Sequence, residues 1–128
     1  MTKSLNLLAT SALALTLSSG LASAGDVVLK GSFEGRSNHI VTGEVHIVKE
    51  GNSYKVVLTN GFELDGAPDP TLGFGNPDYA ISTNFSELKK LKGNQEYALP
   101  ANIDPTQFNR FFVWCTQFAV PLGEARLN

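Results

Sequence analysis

The sequence predicts an all-β, single-domain fold: an antiparallel β-sandwich or barrel of about seven to nine short strands. Apolar and polar residues alternate with a period of two in many short runs, which is the pattern of half-buried strands. Turn-forming residues separate these runs at frequent intervals. The 128 residues also include twelve glycines, six prolines and eight phenylalanines. This composition disfavours a helical bundle, and the length suits one domain.

The first 24 residues have the pattern of a secretory signal peptide. Lys3 gives a positive start, residues 5–17 are uncharged and mostly apolar, and Ala22-Ser23-Ala24 is a small-residue cleavage site. The apolar run is shorter than the roughly twenty residues that a membrane-spanning helix needs. We therefore expect residues 25–128 to form the mature domain, without a membrane span, and the protein to be secreted or periplasmic.

The segment that follows contains three predicted strands. The first has its apolar residues at odd positions. The next two form a predicted antiparallel hairpin over residues 40–59, with residues 50–53 as its turn and one apolar face on each strand. The apolar positions are, in order, Val27, Leu29, Phe33, Val41, Val45, Ile47, Tyr54, Val56 and Leu58.

The middle of the chain is interrupted by turn residues. We expect a short strand at residues 62–64, a loop at residues 65–70 because of its Asp, Gly and Pro content, and another short strand at residues 72–74. Residues 75–78 form the next predicted turn. Residues 84–92 have the spacing of a helix, but Gly and Asn follow directly, so a turn or a single helical turn is expected there.

The last part of the chain contains the most apolar segment. Large apolar side chains occupy alternate positions over residues 97–99, and a proline follows directly. Residues 111–115 are apolar on both parities, which predicts a central strand at the heart of the core, with Trp114 buried. Apolar residues then alternate over residues 118–122, and residues 125–127 predict a closing strand.

The charge of the chain excludes several classes of function. Ten Lys and Arg residues stand against twelve Asp and Glu residues, a formal net charge of −2. Such a chain offers no basic surface for nucleic acid, so no DNA or RNA partner is expected. The sequence also lacks the hydrolase motifs Gly-x-Ser-x-Gly and His-Glu-x-x-His, as well as the phosphate-loop motif. The residues themselves leave open whether the chain is an enzyme.

Cys115 is the one cysteine, so the chain cannot form an internal disulfide. The absence of a Cys-x-x-Cys-His motif excludes covalent attachment of a c-type haem. Two interpretations stay open. Cys115 is either a small buried side chain that packs beside Phe111 and Val113, or a reactive thiol, since an odd thiol in an oxidising compartment has to be buried, bound or reacting. Reaction at a thiol requires the thiolate.

The two histidines are the natural candidates for a ligand or a base near a thiolate. His39 and His46 are seven residues apart, which places them on opposite faces of an unbroken strand. His46 lies on the polar parity and is expected to be solvated. His39 lies at a predicted strand end and remains a candidate for a role at Cys115.

Several loop residues carry oxygen atoms that a calcium site would require, but their spacing matches no calcium-loop motif. We interpret them as solvated acids and amides that cap turns. They are Asn60, Asp65, Asp69, Asn76 and Asp78.

A set of motifs spread over nearly all of the predicted mature chain resembles the DM-thirteen domain family. The most specific of them is Trp114-Cys115-x-x-Phe118. The others are Gly31-x-Phe33, His39-x-x-x-Gly43-x-Val45-x-Ile47, Leu58-x-Asn60-x-Phe62, Pro68-Asp69, the segment Leu88 to Gly93, Gln95-x-Tyr97-x-Leu99-Pro100 and Gly123-x-Ala125-x-Leu127.

The resemblance implies an extracytoplasmic all-β domain that takes part in electron transfer, a type of domain often found beside haem-binding DOMON modules. It also implies that Cys115 corresponds to the family's cysteine, which acts as a redox thiol or as the ligand of a prosthetic group such as haem. His39 falls in the family's early histidine-containing segment. Pro70 departs from the family pattern, and we expect it to shorten or displace the following strand.

The leading hypothesis is therefore a redox or electron-transfer role centred on Cys115, with His39 as a second ligand or base. The cofactor, haem or a metal, is not identified by the residues. Because no partner module is found on the chain, the electron donor or acceptor is expected to be a separate redox partner or a small ligand. The alternative is a non-catalytic secreted binding module in which loops between strands recognise a ligand and Cys115 is a structural core residue.

Overall fold

The computed structural model describes residues 25–128, so the predicted signal peptide at residues 1–24 lies outside the described part. The described residues form ten β-strands and two short 3₁₀ turns. The strands are β1 (Asp26–Gly35), β2 (Val41–Thr42), β3 (Glu44–Glu50), β4 (Ser53–Leu58), β5 (Glu63–Leu64), β6 (Pro70–Gly75), β7 (Ser86–Glu87), β8 (Gln95–Ala98), β9 (Arg110–Cys115) and β10 (Val120–Arg126). The 3₁₀ turns are Ile81–Thr83 and Pro105–Gln107.

Eight of the strands form one antiparallel sheet that curls into a nearly closed barrel. Their order is β7-β6-β9-β10-β1-β3-β4-β8, and β2 pairs separately with β5. Within residues 25–128 no helix is long and apolar enough to span a bilayer. The prediction of an all-β antiparallel domain is therefore confirmed. The hairpin predicted at residues 40–59 forms as strands β3 and β4, whereas Val41–Thr42, expected in its first strand, is the separate strand β2.

The inner face of this sheet encloses one apolar core. Alternate residues of each strand point inward, because successive side chains of a strand point to opposite faces. Aromatic rings fill the centre. The buried phenylalanines of this core are Phe33, Phe62, Phe74 and Phe111, none above 7% exposed.

Three expectations for the second half of the chain are wrong. Residues 84–92 contain strand β7, because the backbone of Leu88 donates to the carbonyl of Pro70. Pro70 does not shorten the next strand but begins β6, and the first residue of a strand is a position where proline is tolerated. Residues 120–126 form the single strand β10 instead of parts of two strands.

Phe118 also departs from the predicted alternation. It lies in the tight turn between β9 and β10, where the Ala119 N–H donates to the carbonyl of Cys115 over 2.8 Å. Ala119 has a positive φ of 56°, so the chain reverses before β10 begins. Phe118 is consequently 63% exposed and does not belong to the core.

Candidate functional site

Cys115 is the last residue of strand β9, at one end of the barrel. The strand lies between β6 and β10, and Cys115 pairs with Pro70 on one side and with Val120 on the other. Its side chain is directed into the apolar core and is only 1% exposed. Its Sγ donates a hydrogen bond to the carbonyl oxygen of Pro68 over 3.3 Å. Because a carbonyl oxygen can only accept, this contact requires the protonated thiol.

Pro68 belongs to the loop of residues 65–69, which joins β5 to β6 and closes the barrel end over Cys115. At its far end, the Asp69 carbonyl accepts from the Thr116 N–H over 3.2 Å. Asp69 has a φ of 53°, a left-handed conformation that aspartate tolerates better than most residues. Gly66 has a φ of 115°, which favours glycine. The loop is thus a short cap with sharp bends near both ends.

The near end of the same loop is attached to His39. Asp65 accepts from the His39 ring, with 2.9 Å between Nδ1 and Oδ1, and from the Ile40 N–H over 3.1 Å at Oδ2. The Asp65 N–H in turn donates to the Ile40 carbonyl over 3.1 Å. The bond from His39, followed by that from the Ile40 N–H, lowers the pKa of the Asp65 carboxyl. The turn before β2 therefore holds the loop at Asp65.

The structure relates the two sequence candidates, His39 and Cys115, through this loop. Within residues 25–128, no hydrogen bond joins them directly, since the His39 Nδ1 bonds to Asp65 and the Cys115 Sγ bonds to Pro68. Those two partners are three residues apart in one loop. This arrangement gives His39 the position of an anchor for the cap over Cys115.

The surroundings of Cys115 do not fit a haem or a metal ion. Among the described residues, no group of three or more His, Cys, Asp or Glu side chains is placed to hold a metal. The sulfur is enclosed by apolar core side chains and already bonds to a backbone carbonyl. A haem iron or a metal ion at Cys115 would need the cap and part of the core to move away.

The remaining candidates are dispersed. His46 lies on the outer face of β3 and pairs with Glu44 over 3.0 Å, so its predicted polar position is confirmed. The acids and amides at the predicted loops do not form a common cluster. Asp65 binds His39, the Asp69 backbone contacts Thr116, and Asp78 lies in the exposed turn after β6.

The outer face of β9 holds an aromatic cluster that the sequence did not predict. Trp114 is half-buried and stacks on Tyr79, with 4.0 Å between the ring centroids and 12° between the planes. The expectation of a buried Trp114 in the core is therefore wrong, because the parity that turns Cys115 inward turns Trp114 outward. The sequence carried one signal of this cluster, the glycine at position 73 within strand β6. A Cβ there would lie 2.7 Å from the Tyr79 ring, so the close approach of the ring requires glycine.

Burial raises the pKa of the Tyr79 hydroxyl, and polar groups of Asn84 and Thr71 partly oppose this. Neither forms a well-aligned hydrogen bond with it, since the Asn84 amide donates to Thr71 Oγ1 instead, over 2.8 Å. The Tyr79 oxygen is thus buried against the sheet without a partner among the described residues. The ring, and not the hydroxyl, makes the specific contacts of this side chain.

Comparison with known proteins gives one result. A protein family described as "Electron transfer DM13" matches residues 32–127, which include strands β2–β10 and the end of β1 from residue 32 onward. No match is found among curated proteins or among solved structures. The matched region contains His39, the loop of residues 65–69 and Cys115, and it makes up most of the chain. The chain therefore belongs to the electron-transfer DM13 family.

Proposed function

We propose that this chain is an exported electron-transfer domain whose redox group is the Cys115 thiol, and that the loop of residues 65–69 controls access to it. The observation that carries the proposal is the hydrogen bond from Cys115 Sγ to Pro68. The one thiol of a domain in an electron-transfer family lies directly beneath a short loop at the end of the barrel. Polar contacts hold the loop at its two ends, and Ala67 packs against the core.

The chemistry that suits a single thiol is exchange with a disulfide of a separate partner. The Cys115 thiolate attacks one sulfur of that disulfide, a new S–S bond forms, and the second partner sulfur leaves as a thiolate. No second cysteine is present to resolve the mixed disulfide. A dithiol of a second partner therefore completes the transfer. One of its thiolates attacks Cys115 Sγ and the first partner leaves as a reduced dithiol; the second partner's other thiol then attacks its own sulfur in the new mixed disulfide, which releases Cys115 and leaves the second partner as a disulfide. Attack by Cys115 requires that its Sγ is accessible and has lost its proton. Movement of Pro68 away from Cys115 exposes Sγ. The same movement breaks the hydrogen bond to the Pro68 carbonyl, which only the protonated thiol can donate.

In this proposal His39 is a positioning residue. Its bond to Asp65 holds the loop closed, so His39→Ala should increase the reactivity of Cys115. The hypothesis of His39 as a base or second ligand requires the opposite result, a loss of reactivity. The two roles are therefore separated by the direction of a single rate change.

The test is the rate at which native protein reacts with a small aromatic disulfide, 5,5′-dithiobis(2-nitrobenzoate), at neutral pH. We expect slow reaction of the parent protein and several-fold faster reaction of His39→Ala and Asp65→Asn, because local opening of the loop becomes more favourable. His46→Ala is the matched control, since it removes a histidine with a carboxylate partner on the outer face of β3. Cys115→Ser should fold and give no reaction.

The proposal fails if the parent and both loop variants react no faster than they unfold globally. Unfolding rates from denaturant jumps supply that reference. Faster reaction of the His46→Ala control to the same extent would also contradict a role for the loop.

Export is part of the proposal and has its own test. The signal-peptide pattern supports a mature protein that begins at Gly25. Expression of the full chain should therefore yield a periplasmic or secreted species with the mass of residues 25–128. A cell-associated species that keeps residues 1–24 would contradict it.

The alternative function is a non-catalytic binding module, and the burial of Cys115 favours it. The side chain is 1% exposed and lies within the continuous apolar core. If the thiol is inert in the folded protein, Cys115 is a packing residue and any ligand is bound elsewhere.

A further inference from the structure

The outer face of the sheet carries an open cavity beside the Trp114–Tyr79 stack. This cavity has a volume of about 490 Å³. Its lining combines aromatic rings, two prolines and two carboxylates: Pro77, Asp78, Tyr79, Phe112, Trp114, Pro121 and Glu124. Its size lies within the range of small-molecule sites, and partly exposed indole surface at such a site favours flat ligands.

A second cavity on the same outer face is basic. It has a volume of about 380 Å³ and is bordered by four of the ten Lys and Arg residues of an acidic chain: Lys30, Arg36, Arg110 and Arg126. Its acidic side chains are Glu34, Glu44 and Glu124.

Glu124 fixes two of these cations. Its Oε1 accepts from Arg36 Nε over 3.1 Å and its Oε2 from Arg110 Nε over 2.9 Å. In contrast, Lys30 and Arg126 have no ion-pair partner among residues 25–128 and lie in the same cavity. Lys30 and Arg126 are therefore the two cations of this cavity that remain available to an anionic group, beside Glu44, which bonds to His46.

The two cavities are adjacent because Glu124 lines both. Glu124 pairs across the strands with Phe112, and Arg126 pairs with Arg110. Two residues along a strand span roughly 7 Å, so the basic pair lies about 7 Å from the Phe112 position and about 13 Å from the Trp114 position. One ligand of ordinary size can reach from the aromatic cavity to the basic one.

We propose that this outer groove binds a flat aromatic molecule that carries an anionic substituent. The ring lies against Trp114 and Pro121, and the anion lies near Arg126 and Lys30. The site is independent of the proposed thiol chemistry, because Trp114 and Cys115 point to opposite faces of β9.

Flavin mononucleotide is a suitable probe, and riboflavin is its matched control because it has the same ring system without the phosphate. Trp114 is the one tryptophan of the chain, so quenching of its fluorescence reports on the aromatic cavity. We expect flavin mononucleotide to bind at least tenfold more tightly than riboflavin, measured by this quenching and by calorimetry. Added salt should reduce that preference.

Two substitutions locate the site. Arg126→Gln should weaken binding of flavin mononucleotide about tenfold and leave riboflavin nearly unchanged, as expected for one charge-assisted contact. Lys55→Gln is the control of equal charge change, since Lys55 pairs with Glu50 and Glu96 on a different part of the sheet. It should have no effect.

Three results would overturn the proposal. The first is absence of flavin mononucleotide binding at about 1 mM. The second is equal affinity for the two flavins. The third is an equal effect of Arg126→Gln and Lys55→Gln on the affinity for flavin mononucleotide. Cys115→Ser should bind the probe like the parent protein. Failure of this site and failure of the thiol proposal are thus separate outcomes.

Discussion

The two faces of strand β9 are both aromatic, but they are covered in different ways. On the inner face, Phe111 is fully buried and meets Phe74 edge to face at 5.1 Å between centroids. On the outer face, Trp114 stacks on Tyr79, which reaches it from the turn after β6, and one side of the indole remains accessible. The inner face is closed by the whole barrel, whereas on the outer face the Tyr79 ring packs against Phe112, which is 4% exposed, and covers one side of Trp114.

This difference separates the roles that the two faces can take. Rings packed from several strands hold one arrangement, and a group buried among them, such as Cys115, is reached only when part of the chain moves. A half-covered ring can contact a ligand without such a movement. A strand that is apolar on both parities thus presents a core surface on one side and a candidate binding surface on the other.

The largest expected effect of a substitution on this strand is at the inner face. Phe111→Ala removes a fully buried ring that also contacts Phe33 at 6.1 Å between centroids. We expect a loss of about 3–5 kcal/mol in the free energy of unfolding, which can be a large part of the total for a domain of this size. Urea denaturation followed by circular dichroism measures it. A loss below about 2 kcal/mol would contradict the closed inner face.

Trp114→Ala should cost less, although tryptophan is the larger residue. The indole is half-buried, so the loss comprises part of its burial and its stacking on Tyr79. We expect roughly 2 kcal/mol by the same urea titration. If Trp114→Ala destabilised the protein as much as Phe111→Ala, the two faces would not differ as described.

A smaller effect is expected for Gly73→Ala, which acts on the outer cover without removing a ring. The new methyl group would lie 2.7 Å from the Tyr79 ring, and this side chain can move away. Loss of the stack should cost about 1 kcal/mol and shift the Trp114 fluorescence to longer wavelength. Gly61→Ala is the control, because the nearest atom to its Cβ would be 3.8 Å away, and its spectrum should not change.

The smallest effect concerns the loop that closes the inner face at Cys115. The folded pKa of Asp65 is lowered, chiefly by the bond from His39, so its stabilising contribution is present above the unfolded pKa, about 3.9. It is lost as the pH falls through the folded pKa. The stability difference between the parent and Asp65→Asn should therefore be constant near neutral pH and shrink below about pH 4. Urea titrations from pH 3 to pH 7 measure it, and a difference that grows in acid would contradict this attachment of the loop.

Much of the fold could be predicted from the sequence because its signals are local. The alternation in β3 and β4 marks one inward face on each strand, and the turn at residues 50–53 fixes their pairing. Strand β7 could not be predicted in this way. It has only two residues, and it exists because β6 offers free backbone groups beside it.

The candidate site was predicted only in part. Cys115 and His39 were identifiable by residue type, and the family resemblance added their context. Their partners were not identifiable, because Pro68 lies 47 residues from Cys115 and Asp65 lies 26 residues from His39 in the sequence. Contacts at such separations leave no periodic signal.

The sequence by itself determined that β9 is apolar on both parities and that Trp114 and Cys115 face opposite ways, because side-chain direction in a strand follows from the backbone alone. Only the tertiary structure decided which face became the core. That choice depends on what packs against each face: the other strands enclose Cys115, and one turn brings Tyr79 onto Trp114. Packing of this kind arises between distant segments, so it is specified by the closed barrel as a whole and not by the residues of β9.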